Sequence, residues 1–296
     1  MTYLKKLAVI NDLSGLGKCS LTAAIPVISA MGVQAVPLPT AVLSNQTGYD
    51  SYYCDDYTDK MDDIMEEWEK RGFSPDGIYT GFLAGEAQTE KIFSFFQRFC
   101  KEDTLVLVDP VMGDQGKVYG IYSEGLCQQM RLLCGRAQVI TPNLTEALLL
   151  LYGKEGMEEH FDSLKKIRGD AYLAEIEKIG KKLYEKFSLE SAVITGIDFA
   201  DGEKPLQIGN LVITGEKSDW TFAEKTGGSY SGTGDLFASV LSAGLVKGIP
   251  MEKCVEKAVD FLSASIRDAV EEGSDRNDGV CFETYLYKLW ELNQRE

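Results

Sequence analysis

The chain has one histidine in 296 residues, His160, set among Glu158, Glu159 and Asp162. A lone imidazole in an acidic helical run reads as a solvated residue, so histidine base chemistry is set aside. The seven cysteines (Cys19, Cys54, Cys100, Cys127, Cys134, Cys254 and Cys281) form no C-x-x-C pair, and most sit in apolar runs. An odd, scattered set argues against a disulfide frame or a zinc site and for reduced thiols. Basic residues are scarce, 30 Lys and Arg against 46 Asp and Glu, for a net charge of −16. That balance argues against nucleic acid as a partner, because phosphate-backbone binding runs on Lys and Arg. It also makes an anion such as ATP depend on local help from backbone N–H groups, a few cations and a metal. No apolar stretch approaches the ~20 residues of a membrane span. No signal-peptide pattern precedes the apolar run Leu7-Ala8-Val9-Ile10. The expectation is a cytoplasmic protein without a membrane partner. Internal repeats, Pro- or Ser-rich linkers and low-complexity tracts are also missing, which leaves one domain over residues 1–296 as the expectation.

Short apolar runs alternate with longer amphipathic ones. Strands are expected at about 6–11, 34–42, 77–80, 104–109, 137–141, 191–197, 206–214 and 218–223. Helices are expected at about 20–31, 58–71, 86–99, 123–134, 144–151, 171–187, 233–247, 251–272 and 282–293. Strand–helix alternation implies right-handed crossovers and a mostly parallel α/β sheet covered on both faces. The two late strands, separated by Gly215-Glu216-Lys217-Ser218, read as an antiparallel hairpin at one end of that sheet. The acidic stretch Glu155–Asp162 reads as a surface excursion.

Polar, Gly-rich segments follow the strands one after another. They are Asn11-Asp12, Ser44–Tyr49, Thr80-Gly81-Phe82, Asp109–Asp114, Thr141-Pro142-Asn143 and Thr195-Gly196. In a doubly wound sheet these positions share the carboxyl edge, where such folds bind ligands.

The richest motif is Ser231-Gly232-Thr233-Gly234-Asp235-Leu236-Phe237. Its glycines allow close backbone approach, and the first helical turn offers unpaired N–H groups and a dipole that favours an anion. Asp235 beside that turn reads either as a helix cap or as a base that takes a hydroxyl proton while the backbone cradles a phosphoryl group. Asp109-Pro110-Val111-Met112-Gly113-Asp114 offers two carboxylates for a hard cation, or a pair of turn aspartates. Asn143 and Glu146 have capping-box spacing, and the same pair can order the water shell of Mg²⁺. Ser14–Ser20 imitates a P-loop, but Asp12 stands where glycine is needed and Cys19 where Ser or Thr is needed. It reads better as a glycine-lined loop against a small organic substrate. Ser44–Tyr49 suits a small polar ring, or is a plain surface loop.

Taken together, these motifs and Thr80-Gly81-Phe82-Leu83 resemble the pyridoxal kinase group of the ribokinase-like superfamily, in order over nearly the whole chain. The G-T-G-D and N-x-x-E elements mark the superfamily. S-N-x-T-x-Y with D-P-V-M-G-D points to the vitamin B6 branch. The resemblance implies a three-layer αβα fold, phosphorylation of a hydroxymethyl group by ATP with Mg²⁺, K⁺ as a further candidate ion, and a homodimer. It implies Asp235 as base and Gly232, Thr233 and Gly234 as the anion hole. Asp109, Asp114 and Glu146 would organise metal and phosphates, with Thr141, Asn143 and Thr195 near ATP. Ser44, Thr47, Phe82 and Asp12 would line the substrate.

The chain departs from that pattern after its first strand. The family shows Gln-Ser-His where this chain has Asn11-Asp12-Leu13, and Asp12 in the serine's place would favour an aminomethyl substituent. Phe82 stands for the usual Tyr, and Thr195 for a Lys found in some relatives. A hydroxymethylpyrimidine kinase is the near rival. A non-catalytic B6-binding protein is the rival from another class.

Overall fold

The structure, a computed structural model, describes residues 3–200, 202 and 205–290. In chain order the elements are β1 (Lys6–Leu16), α1 (Ser20–Ala30), β2 (Gln34–Asn45), β3 (Cys54–Asp56), α2 (Met61–Lys70), β4 (Gly77–Thr80) and α3 (Ala87–Phe99). Then come β5 (Leu105–Val108), β6 (Gly113–Asp114), β7 (Lys117–Val118), α4 (Glu124–Cys134), β8 (Val139–Ile140), α5 (Leu144–Leu164) and α6 (Asp170–Phe187). The last are β9 (Ser191–Phe199), β10 (Gln207–Thr214), β11 (Lys217–Glu224), α7 (Thr233–Val246), α8 (Met251–Glu272) and α9 (Leu286–Trp290). The class is α/β, with a mostly parallel central sheet, an antiparallel hairpin and flanking helices. The described residues fall into two compact units, 3–105 with 226–290, and 106–225.

In the first unit the strand order is β4-β1-β2-β3. β1 runs parallel to both β2 and β4, and β3 lies antiparallel along the edge of β2. Leu7, Ala8, Val9 and Ile10 are all fully buried. Unbroken apolarity of this kind marks a strand covered on both faces. Pairing to β4 ends at Ile10–Thr80, whereas pairing to β2 continues to Leu16–Asn45 past an irregularity between Asn11 and Leu13. Such a bulge re-aims side chains, and here it falls where the polar residues begin. Apolar burial continues through Tyr79, Phe95 and Phe261.

The second unit orders its strands β11-β10-β9-β8-β5. β8 is parallel to β5 and β9, while β10 is antiparallel to β9 and β11. The hairpin is tighter than its sequence suggests: Thr214 pairs with Lys217 across Gly215-Glu216.

Four sequence expectations need revising. β1 extends to Leu16, so Ser14–Leu16 is strand and not loop, because β2 continues beside it. The edge strand β3 was not foreseen, since three residues are too few to show an alternating pattern. The helix expected at 144–151 continues: α5 runs to Leu164 with a break at Gly153 (φ 73°), so the mostly exposed stretch 155–162 is helical. The last helical segment is a single 3₁₀ turn, Glu283–Tyr285, followed by α9 to Trp290. The expected continuation to 293 lies outside the described residues. His160 is exposed, stacked on Tyr152, with Nδ1 2.8 Å from the Gly156 carbonyl.

Candidate active site

In the first unit a set of polar groups converges on one carboxylate. α7 begins immediately after Gly232, whose φ of +81° lies in the left-handed region that glycine occupies freely. A Cβ at that position would also overlap the carbonyl oxygen of Lys18. The close approach that requires glycine here is therefore made by the chain's own backbone. The helix's first internal bond is Leu236 N–H to the Gly232 carbonyl, 2.9 Å. The N–H groups of Thr233, Gly234 and Asp235 thus belong to the turn that has no intrahelical acceptor. The Thr233 hydroxyl donates back to the Tyr230 carbonyl at 3.1 Å.

Asp235, in that first turn, is half-buried. Its Oδ1 accepts from Asn11 Nδ2 at 3.0 Å and from the Tyr79 hydroxyl at 3.3 Å. The Ser20 backbone N–H, at the start of α1, is a further donor to the carboxylate. Protein packed around it strips water from the anion, and nearby Asp12 adds repulsion, so its pKa is pushed up to about 6 despite these donors. Desolvation and the same two carboxylates push the Cys19 thiol up to about 12. That thiol stays protonated near neutrality and is no nucleophile.

Asp12 is buried, 4 % exposed, and accepts from the Ser14 hydroxyl at 2.8 Å and from the Ser20 hydroxyl. Burial raises its pKa above the usual carboxylate value. It is thus held by two hydroxyls instead of standing open to a ligand. Ser20 joins the two acids, with its N–H on Asp235 and its hydroxyl on Asp12. Its φ of +49° is one that few non-glycine residues adopt.

The loop after β2 is fastened to residues 275–279. Gln46, buried, donates to Asn277 Oδ1 at 3.1 Å and accepts from Gly48 N–H at 2.6 Å. Tyr49 donates to Asp278. The Ser44 hydroxyl accepts from Tyr53 N–H at 2.9 Å and donates to Asn45, so it shapes the loop. Ser44 and Thr47 are exposed, and Phe82 is half-buried with its N–H on Asn11 Oδ1 at 2.8 Å.

The second unit holds a separate acidic group. Asn143 caps α5 by accepting from Glu146 N–H at 3.0 Å, and Glu146 Oε2 accepts from Asn143 N–H at 2.9 Å. Glu146 Oε1 accepts from Met112 N–H at 3.1 Å, and Asn143 Nδ2 donates to the Gly113 carbonyl at 2.8 Å. The cap therefore fixes the Asp109–Asp114 segment. Glu146 (4 % exposed) and Asp109 (7 %) are both buried. Desolvation and the Asp109 charge raise the Glu146 pKa well above its usual value. Thr141 Oγ1 is buried without a hydrogen-bond partner among the described residues. Thr195 donates its N–H to the Pro142 carbonyl at 3.0 Å. Among the described residues no three His, Cys, Asp or Glu side chains cluster closely enough to hold a metal ion. The paired carboxylates of Asp109 and Glu146 are hard oxygen donors of the kind that suits Mg²⁺, which takes one or two carboxylates and keeps its own waters.

Within the first unit the fold joins Asp12, Asp235, Gly232, Thr233, Gly234 and Phe82 through Asn11, Lys18 and Ser20. Asp109, Asn143, Glu146 and the Asp114 hairpin meet in the second. Sequence reasoning noted Asn11 as part of a polar rim and of the departure from the family pattern, met Ser20 and Gln46 only inside longer motifs, and did not pick out Tyr79 or Asn277. The first follows the apolar run Leu7–Ile10 directly, a usable signal. The others meet partners far off in the chain, as in the pairs Tyr79–Asp235 (|i−j| = 156) and Gln46–Asn277 (|i−j| = 231).

A family profile described as phosphomethylpyrimidine kinase matches residues 17–279. A crystal structure assigned to phosphomethylpyrimidine kinase from Bacteroides thetaiotaomicron is 32 % identical, with TM-score 0.87, covering 100 % of this chain and 96 % of that one. An orthorhombic form with pyridoxal has TM-score 0.84 at 32 % identity, covering 99 % and 97 %. The pyridoxine/pyridoxal/pyridoxamine kinase of Bordetella avium is 26 % identical over 83 % of this chain and 79 % of its own length.

Proposed function

The chain belongs to the phosphomethylpyrimidine kinase family, and from that premise we propose that it transfers a phosphoryl group from ATP to the 5′-hydroxymethyl group of a vitamin B6 vitamer. It is a phosphotransferase of the pyridoxal kinase type with an alcohol as acceptor. The B6 ring as substrate is supported by the pyridoxal found with the Bacteroides relative and by the Bordetella relative's activity. The observation that carries the mechanism is Asp235, held at the opening turn of α7 by Asn11, Tyr79 and Ser20.

In this mechanism Asp235 accepts the proton of the attacking hydroxyl as the new bond forms. With its pKa near 6 the carboxylate is ionised at neutral pH yet basic enough to act. The N–H groups of Thr233, Gly234 and Asp235, introduced by Gly232, hold the migrating phosphoryl oxygens, and most of the rate comes from positioning and charge stabilisation. Asp109, Asp114 and Glu146 would act on Mg²⁺ through its bound waters, since the three do not cluster closely enough to ligate it together, and the ion would offset phosphate charge. Thr141, Asn143 and Thr195 would face the ATP phosphates. Thr47, Ser44 and Phe82 would border the pyridine ring. Asp12, withdrawn behind two hydroxyls, would act through its field and favour a vitamer carrying a cationic aminomethyl group.

The test is an ADP-release assay over pyridine, pyrimidine and sugar alcohols. B6 vitamers should give the highest kcat/KM. Preferential turnover of hydroxymethylpyrimidine would favour the second reading, which rests on the family's own description. Asp235→Asn should lower kcat by roughly 10²–10⁴ with ATP affinity little changed. Near-normal turnover in that variant would require another base.

A further inference from the structure

We propose that Asn11 is the positioning residue for the base: it orients the Asp235 carboxylate and sets the pH at which that carboxylate becomes competent. The inference rests on the assignment of Asp235 above, but it concerns a residue that neither the motifs nor the family likeness singles out.

Three observations carry it. Asn11 is fully buried, and each end of its amide has a defined task. Its Oδ1 accepts from Asp12 N–H at 3.0 Å and from Phe82 N–H at 2.8 Å. That fixes the amide orientation and leaves Nδ2 to donate to Asp235 Oδ1 at 3.0 Å. The place for this amide is also built in. A Cβ on Gly81 would stand 2.5 Å from Asn11 Nδ2, so the glycine after β4 leaves room for it. Finally, β1 loses its pairing with β4 after Ile10 while Asn11 stays paired with Pro39 of β2, which leaves Asn11 at the open end of the β1–β4 pairing, where its amide reaches the first turn of α7. The Tyr79 hydroxyl shares the same carboxylate oxygen from β4.

The ionisable groups facing Asp235 are few. Asp12 from β1 repels the charged form. Tyr79 from β4 donates to it, and Cys19 at the start of α1 is a neutral thiol. A neutral donor in this setting lowers the proton affinity of Asp235, and an anion in its place raises it.

The test is Asn11→Asp in the full chain. The new side chain keeps an oxygen for the two backbone N–H groups but faces Asp235 with a like charge. The acid limb of kcat/KM for pyridoxine should move up by about one pH unit or more, as expected for replacing a donor with an anion. KM for ATP should stay put. Gly81→Ala, whose methyl displaces the amide, should move the limb in the same direction by less, and stands in if Asn11→Asp does not fold. Carboxyl ¹³C NMR of aspartate-labelled protein reads the same shift without turnover, the Asp235 resonance being identified by its loss in Asp235→Asn. An active wild type with an unmoved limb and an unmoved resonance in the folded variant would overturn the inference alone. A shifted resonance in a protein that phosphorylates no vitamer would support the positioning role and overturn the assigned function instead.

Discussion

Asp235 carries a cost that its setting makes measurable. Its pKa is pushed up to about 6, from 3.8 in an unfolded chain, so between those values the folded protein binds more protons than the unfolded one. Stability therefore falls as pH rises through that window, and above pH 6 the full penalty of a desolvated anion is present. The shift corresponds to about 2–3 kcal/mol. Asp235→Asn should accordingly gain stability relative to wild type by about that amount between pH 4 and pH 8, as read by chemical denaturation at each pH. A stability difference independent of pH would mean that the carboxylate is not desolvated. In activity the sign is opposite: kcat/KM of the wild type should drop tenfold per unit below about pH 6 as the base is protonated. At Asp12 the expected effect concerns selectivity. Asp12→Asn should lower kcat/KM for pyridoxamine relative to pyridoxine by roughly five- to tenfold, the effect of about 1 kcal/mol of charge interaction. An unchanged ratio in competition kinetics would remove Asp12 from vitamer choice.

At the scale of elements, the two helix starts differ in how they are made. α5 begins with a complete capping box, Asn143 and Glu146, legible from spacing alone. Asn143→Ala removes both the cap and the bond to Gly113, so it should cost about 1–2 kcal/mol in urea unfolding. It should also loosen the Asp109–Asp114 segment, seen as faster amide exchange at Met112 and Gly113. α7 begins with no side-chain cap, and its start is fixed by Gly232 fitting beneath the Lys18 carbonyl. Gly232→Ala combines a left-handed φ with a backbone overlap and should destabilise by about 3 kcal/mol or more. Loss of phosphate binding without a fall in melting temperature would point instead to a purely ligand-facing glycine. The motif revealed that glycine was needed there; what it approaches was decided by a loop over 200 residues earlier in the chain.

For the molecule as a whole, the net charge of −16 opposes an incoming nucleotide. Salt should weaken that repulsion, because the Debye length falls from about 20 Å to about 7 Å between 20 and 200 mM. KM for ATP should therefore drop by a few-fold when choline chloride is raised over that range at fixed free Mg²⁺. A rise would mean that a local cluster of cations dominates the encounter.

The order of strands and helices, the antiparallel hairpin and the capping box at Asn143 were set by short-range pattern, because apolar period, glycine turns and cap chemistry act within a few residues. The Gly-rich start of α7, with Asp235 in its first turn, was legible for the same reason. The identity of its donors was not. Asn11, Tyr79 and Ser20 reach Asp235 only because parallel strands and the crossovers between them bring distant segments to one sheet edge. Likewise, the withdrawal of Asp12 behind Ser14 and Ser20, and the fastening of Gln46 to Asn277, follow from burial, which no local pattern specifies.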